Sequence, residues 1–198
     1  MSKGEQTRAA VLEAAIARFG RDGYRATSVA DIARDAAVGG TVAYAYFPSK
    51  EALFLAAVDA DAAAVIEEGL SSLLADPDAV HVGQTLVFSL VEAVDRHHLA
   101  RRLLAGLEPG VTDRVLEIPA LNDLREAVAT RLAAEQRQGT VHPDVDATAL
   151  ANGIVAIVLS LLMSVIQLGT DATAAYAADV AYVFDAAMGR SRLGTSVR

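Results

Sequence analysis

Apolar residues recur along this chain at the spacing of a helix face rather than the two-residue alternation of a strand. Leu12, Ala15, Ile16 and Phe19 form a stripe that predicts a first helix over 5–21, with Gly23 as its expected C-cap. Val29, Ile32, Ala33 and Ala36 repeat the i, i+3, i+4, i+7 pattern in a short second helix. Ser28 precedes it and Asp31 follows three residues on, in the manner of a capping box. Val38-Gly39-Gly40 breaks the period, a third short helix carries Thr41 to Phe47, and Pro48 ends it. Ser49 opens a longer helix reaching about Ala75, with Leu53-Phe54, Ala57-Val58 and Val65-Ile66 on its apolar face.

Asp76-Pro77-Asp78 interrupts the chain, and further helices are predicted over 79–98, 99–107 and 118–138. Glu108-Pro109-Gly110 stops the second of these, 111–117 carries no clear period, and Gly139 to Asp144 reads as a loop. Residues 147–170 contain no charge, a length that would span a bilayer. No Lys or Arg anchors either end, and Asn152, Ser160, Ser164 and Gln167 interrupt it, so the reading is a core helix buried on both sides. One face would meet its own body and the other a partner subunit. A last helix over 172–188 would complete a four-helix interface about a two-fold axis.

Composition sharpens this all-α picture. Alanine is abundant, the chain has 5 Pro, and only 5% of residues are aromatic. There is no cysteine, which excludes disulfides and thiolate metal sites. The polar start, MSKGEQTR, lacks the apolar core of a secretory signal, so the expected location is cytoplasmic. His81, His97, His98 and His142 show no metal-ligand spacing, and no nucleophile motif appears. No enzyme, metal or cofactor is expected. The net charge of −8 is uneven: residues 1–51 hold seven Lys/Arg against six Asp/Glu, and the rest is strongly acidic. The expected division is a head over 1–51, a body over 52–190 and a disordered tail over 191–198.

Helix, tight turn and helix make the unit that places its second helix in the major groove of DNA. The residues that fill it here also carry a family resemblance. Thr7-Arg8, Ala14-Ala15, Phe19, Gly23-Tyr24, Thr27-Ser28-Val29, Ile32-Ala33, Ala36, Val38, Tyr44, Tyr46-Phe47, Ser49-Lys50-Glu51 and Leu53 resemble the N-terminal domain of TetR-type transcriptional repressors. The likeness spans roughly the first 55 residues. It implies a homodimer with DNA-binding heads and a helical body that binds a small molecule and releases DNA.

The turn and recognition helix depart from the family pattern. Where the family reads Val-Ser-x-Gly-Thr-(Leu/Val)-Tyr-x-(Tyr/His)-Phe, this chain reads Val38-Gly39-Gly40-Thr41-Val42-Ala43-Tyr44-Ala45-Tyr46-Phe47. Gly39 stands for the capping Ser, Thr41 for the Gly, Val42 for a phosphate-contacting Thr and Ala43 for a larger core residue. Gly39-Gly40 would let the backbone approach phosphate closely. Thr27, Ser28, Tyr44 and Lys50 are the expected phosphate donors, and Thr41, Tyr44 and Ala45 the expected base contacts. Lys3, Arg8 and Arg25 add charge nearby. With no Arg, Gln or Asn on that helix, direct readout is thin and shape readout carries more.

The resemblance also implies a ligand pocket in the body. Phe88, Val91, Leu104, Leu121, Ile157 and Leu161 would wall it, and Gln84, Asn122 and Asn152 would orient a polar group, all around a mostly apolar effector. Two other readings stand. Tyr44, Tyr46 and Phe47 would simply be core in a buried three-helix unit. Alternatively, the protein would be a dimeric helical small-molecule binder whose operator affinity is weak or lost.

Overall fold

Ser2 starts the first helix with a reciprocal capping box. Its Oγ accepts from the Glu5 amide at 3.3 Å, and Glu5 Oε2 accepts from the Ser2 amide at 2.6 Å. Helix α1 (Lys3–Ala26) buries Val11, Ala15, Phe19 and Gly23, a strict i, i+4 row. That corrects the expected stripe: Leu12 and Ile16 are only half-buried, and the core row runs one residue earlier. The chain kinks at Gly23, where φ is 80° and ψ is 170°. A computed structural model describes residues 1–75, 82–108, 110 and 117–187, and the expected break at 76–78, the segment 111–116 and the tail lie outside these.

Helix α2 (Val29–Asp35) packs on α1 through Val29, Ile32 and Ala33. Ser28 Oγ accepts from the Asp31 amide at 3.2 Å, so the predicted N-cap forms, but Asp31 Oδ2 takes the Ser28 hydroxyl at 2.7 Å rather than its amide, and the expected box does not close. The turn that follows is a Schellman motif. The Val38 amide reaches Ala33 O at 2.9 Å and the Ala37 amide reaches Arg34 O at 3.1 Å. Its left-handed residue is Ala37, with φ of 54°, and not one of the two glycines in the sequence signal. Helix α3 (Gly40–Tyr46) starts at Gly39 with no side-chain cap. Helix α4 (Lys50–Ala75) starts as predicted, the Ala52 amide donating to Ser49 Oγ at 3.0 Å.

Helix α5 (Val82–Arg96) and helix α6 (His98–Leu104) follow. A carboxylate from α4 caps α6. Asp61 Oδ2 accepts from the Ala100 amide at 2.8 Å, while Asp61 Oδ1 lies 2.7 Å from His97 Nδ1. Helix α6 ends in a second Schellman turn at Gly106, before the expected Glu108-Pro109-Gly110 stop. Helices α1 and α6 pack without room for a side chain. A Cβ at Gly20 would lie 2.9 Å from the Leu99 amide.

Helix α7 (Ala120–Arg137) buries Leu121, Leu124, Val128 and Leu132 and ends in a third Schellman turn at Gly139. Gln136 Nε2 then holds the loop by donating to His142 O and Val145 O. Asp146 caps helix α8 (Ala147–Leu168), and Gly169 separates it from helix α9 (Thr170–Ala187), which packs against it. Helix α8 is long and apolar enough to cross a membrane. Ala151, Ile154, Val155, Val158 and Leu162 give it a buried face. Burial on both sides is not found within one chain: Asn152, Ala156, Ile157 and Ser160 are exposed.

Two compact units result. The first comprises Met1–Glu67 with Glu92–Ala120, and the second comprises Glu68–Val91 with Leu121–Arg198. No strand occurs among the described residues, so the fold is all-α.

Candidate nucleic-acid interface

The helix-turn-helix is built so that α3 shows one face to its own core and the other to solvent. Ala43 is fully buried, and Phe47, just beyond the helix, is nearly so. Both fix α3 against α1 and α2. Thr41, Val42, Tyr44 and Ala45 point outward, with Tyr44 51% exposed. A purely structural role for the aromatic trio therefore fails for Tyr44. Tyr46 is half-buried, and only Phe47 belongs to the core.

Lys50 opens α4 beside this face. Its Nζ lies 4.3 Å from the centre of the Tyr24 ring, a cation–π contact that orients the ammonium without consuming its donors. Tyr24 itself is held by the rings of Phe54 at 4.9 Å and Phe19 at 6.1 Å. Arg8 lies over the Phe47 ring at 5.0 Å.

Two of the expected phosphate donors spend their hydroxyls inside the fold. Thr27 is buried and donates to Gly23 O at 2.8 Å. Ser28 is exposed, but its proton goes to Asp31. These bonds fix the backbone leading into α2. Gly39 and Gly40 are both exposed, and a Cβ on either would meet nothing within 4 Å.

The cations of the head divide into two sets. Arg18 pairs with Asp35 at 2.6 Å and with Asp22 at 3.8 Å, Arg21 with Asp22 at 2.8 Å, and Arg34 with Asp31 at 2.8 Å. The Arg18 hydrogen bond holds the Asp35 carboxyl below the ordinary carboxylate range, and Arg21 does the same for Asp22. The Ser28 hydroxyl and then Arg34 lower Asp31. The second set, Lys3, Arg8, Arg25 and Lys50, forms no ion pair among the described residues. An external polyanion would meet these four.

The residues expected around an effector are more scattered. Leu104 is buried in the first unit. In the second unit Leu121 is buried, and Val91 and Leu161 are half-buried. Asn122, Asn152 and Ile157 face solvent, Asn122 accepting from Arg125 Nη1 at 2.8 Å. The side chains of Gln84 and Phe88 lie outside the described residues. A cavity of about 390 Å³ in the first unit, lined by Glu13, Ile16, Asp61, His97 and Leu99 among others, includes none of the nine.

An exposed second helix after a tight turn, in an all-α head, is the arrangement of a helix-turn-helix DNA-binding unit. Residues 11–57 match the sequence model of the bacterial regulatory proteins of the tetR family. Solved structures share the fold over nearly the whole length. A protein from Mesorhizobium loti assigned to the TetR family of transcriptional regulators superposes with a TM-score of 0.70 at 22% identity, covering 94% of this chain and 98% of that one. The fatty acid degradation regulator FadR from Bacillus halodurans gives 0.66 at 19% identity, covering 97% and 99%. Salmonella enterica GusR gives 0.63 at 21%, covering 96% and 98%. No curated protein sequence matches the chain. The head thus matches the tetR family's sequence model over residues 11–57, and the whole chain shares the fold of these TetR-family structures.

Proposed function

We propose that the protein is a cytoplasmic, ligand-released repressor that binds a pseudo-palindromic operator as a homodimer and has no enzymatic activity. The observation that carries this is the outward face of α3. Its Thr41, Tyr44 and Ala45 are exposed on a helix whose inner side is locked by Ala43 and Phe47. Thr41 and Tyr44 have the hydroxyls to read base edges, and the Ala45 methyl suits a thymine methyl. Tyr44, Lys50 and the cations Lys3, Arg8 and Arg25 are the phosphate partners in this reading, with the Gly39–Gly40 backbone close by, while the Ser28 hydroxyl stays on Asp31. Thr27 takes a different part in this reading: its hydroxyl stays on Gly23 and sets where α2 begins.

Support for the homodimer comes from the second unit. Asn152, Ala156 and Ser160 lie one turn apart along the exposed side of α8, with Ile157 beside them. Ser160 and Ser164 donate to their own helix, to Ala156 O and Ser160 O at 2.9 Å each. Their hydroxyls are thereby satisfied, and apart from the Asn152 amide the face offers apolar or internally satisfied side chains to a second copy. Tyr182 and Val183 on α9 are exposed as well, 66% and 54%. In this reading the functional head is residues 1–51, the body 52–190 and the tail 191–198. A mostly apolar effector lodges in the body, with Val91, Leu121 and Leu161 as its candidate walls.

Selection of duplexes from a randomised library tests the proposal. Enrichment of a two-fold symmetric sequence, half-sites about one helical turn apart or a multiple of it, is expected. No enrichment over the starting library would contradict it and favour a ligand binder without an operator.

A further inference from the structure

Glu108 is 84 residues from Tyr24 in sequence and in hydrogen-bond contact with it in space. The Gly106 turn, with φ of 72°, sends the chain back after α6 so that Glu108 is buried, 8% exposed. Its Oε1 accepts from Arg102 Nε at 2.7 Å and from the Tyr24 amide at 3.2 Å. A buried carboxylate is tolerated only with such partners.

The amide it takes is one the kink has turned. Gly23 has φ of 80° and ψ of 170°, so the peptide that follows leaves the helical bonding pattern. Glu108 satisfies that amide. The fit is close: a Cβ at Gly23 would lie 2.5 Å from Arg102 Nη2 and 2.7 Å from Glu108 Oε1. Beyond the amide, the Tyr24 ring lies 4.3 Å under Lys50 Nζ. A cation at a helix start is disfavoured by the helix dipole, and the Tyr24 ring is the contact that holds it there.

We propose that Glu108, held by Arg102, is a positioning residue for the DNA-binding surface, fixing Tyr24 and through its ring the Lys50 ammonium that meets phosphate. The inference rests on the DNA-binding reading of the head. It makes the turn after α6 a direct input to that surface. A displacement of the chain at Gly106 withdraws the carboxylate, and Lys50 loses its orientation with no change in the recognition helix itself.

The test is a double-mutant cycle on the full-length protein, read by fluorescence polarisation on a duplex selected by the wild type, with melting temperatures in parallel. Glu108→Gln is expected to weaken binding about five- to tenfold, and the loss is expected to shrink below about twofold in a Lys50→Ala background. A general loosening of the fold would weaken both backgrounds equally. Equal loss in the two backgrounds, or no loss at all, overturns the proposal. Arg102→Gln decides the matter if Glu108→Gln does not fold: the same background dependence supports it, and additivity overturns it. If the wild type itself binds no duplex, the DNA-binding reading has failed instead, and that outcome is distinct from a failed cycle.

Discussion

Ala37 occupies the position that the Schellman turns after α6 and α7 give to Gly106 and Gly139. A left-handed conformation costs a side-chain-bearing residue about 1–2 kcal/mol. Replacing Ala with Gly returns part of that to unfolded-state entropy, about 0.4–1 kcal/mol. Ala37→Gly is therefore expected to stabilise the protein by up to about 1 kcal/mol in urea unfolding and to leave DNA affinity unchanged. Gly40 poses the opposite case. Nothing in the fold requires its lack of a side chain, since a Cβ there meets open space. Gly40→Ala is expected to stabilise α3 by about 1 kcal/mol. If the α3 backbone approaches phosphate, the same substitution weakens binding to a selected duplex. Unchanged affinity would mean that the backbone stays away.

At the scale of elements, the helix-turn-helix is held by capping, by burial of Ile32, Ala33 and Ala43, and by the Arg18–Asp35 bridge from α1 to α2. Asp35 titrates below its ordinary value because Arg18 donates to it. A depressed carboxylate adds stability that is fully present above its unfolded pKa, near 4, and is lost as pH falls through the folded value. Asp35→Asn is thus expected to lower the melting temperature at about pH 7. The difference from wild type is expected to narrow below about pH 4 and close at still lower pH. A difference that stays constant through that range would rule the ion pair out as its source.

The caps at Ser28 and Ser49 were readable from sequence because each is a local hydroxyl-to-amide bond. The starts of α2 and α4 followed from them, and the Gly39-Gly40 break and Pro48 bounded α3 within a residue or two. Other features were not readable because they depend on distant partners. The core row of α1 is set by what packs on Val11, and the left-handed residue is an alanine next to two more obvious glycines. Thr27 reads as a surface donor until the Gly23 carbonyl is seen beneath it. The tie from Glu108 to Tyr24 has no sequence signal at all.

For the whole molecule, the pairing of Arg18, Arg21 and Arg34 inside the head resolves an apparent conflict with the net charge of −8. Those three arginines stabilise the head, and four other cations, Lys3, Arg8, Arg25 and Lys50, remain without an ion pair among the described residues. The exposed face of α8 makes a companion prediction. Ala156→Arg places a charge in the proposed subunit contact and is expected to halve the mass seen by light scattering and to abolish high-affinity operator binding. A mass still at twice the chain weight would place the interface elsewhere.

Lys3, Arg8, Arg25 and Lys50 leave about four phosphate partners per head. Two heads give a slope of log affinity against log salt near −7, from about 0.9 per neutralised phosphate. The measurement that reaches the central claim most directly is therefore binding of the selected duplex across a salt series. The account predicts tight binding at low salt that falls with a slope close to that value. Binding that does not respond to salt, or no binding at any salt, would contradict it.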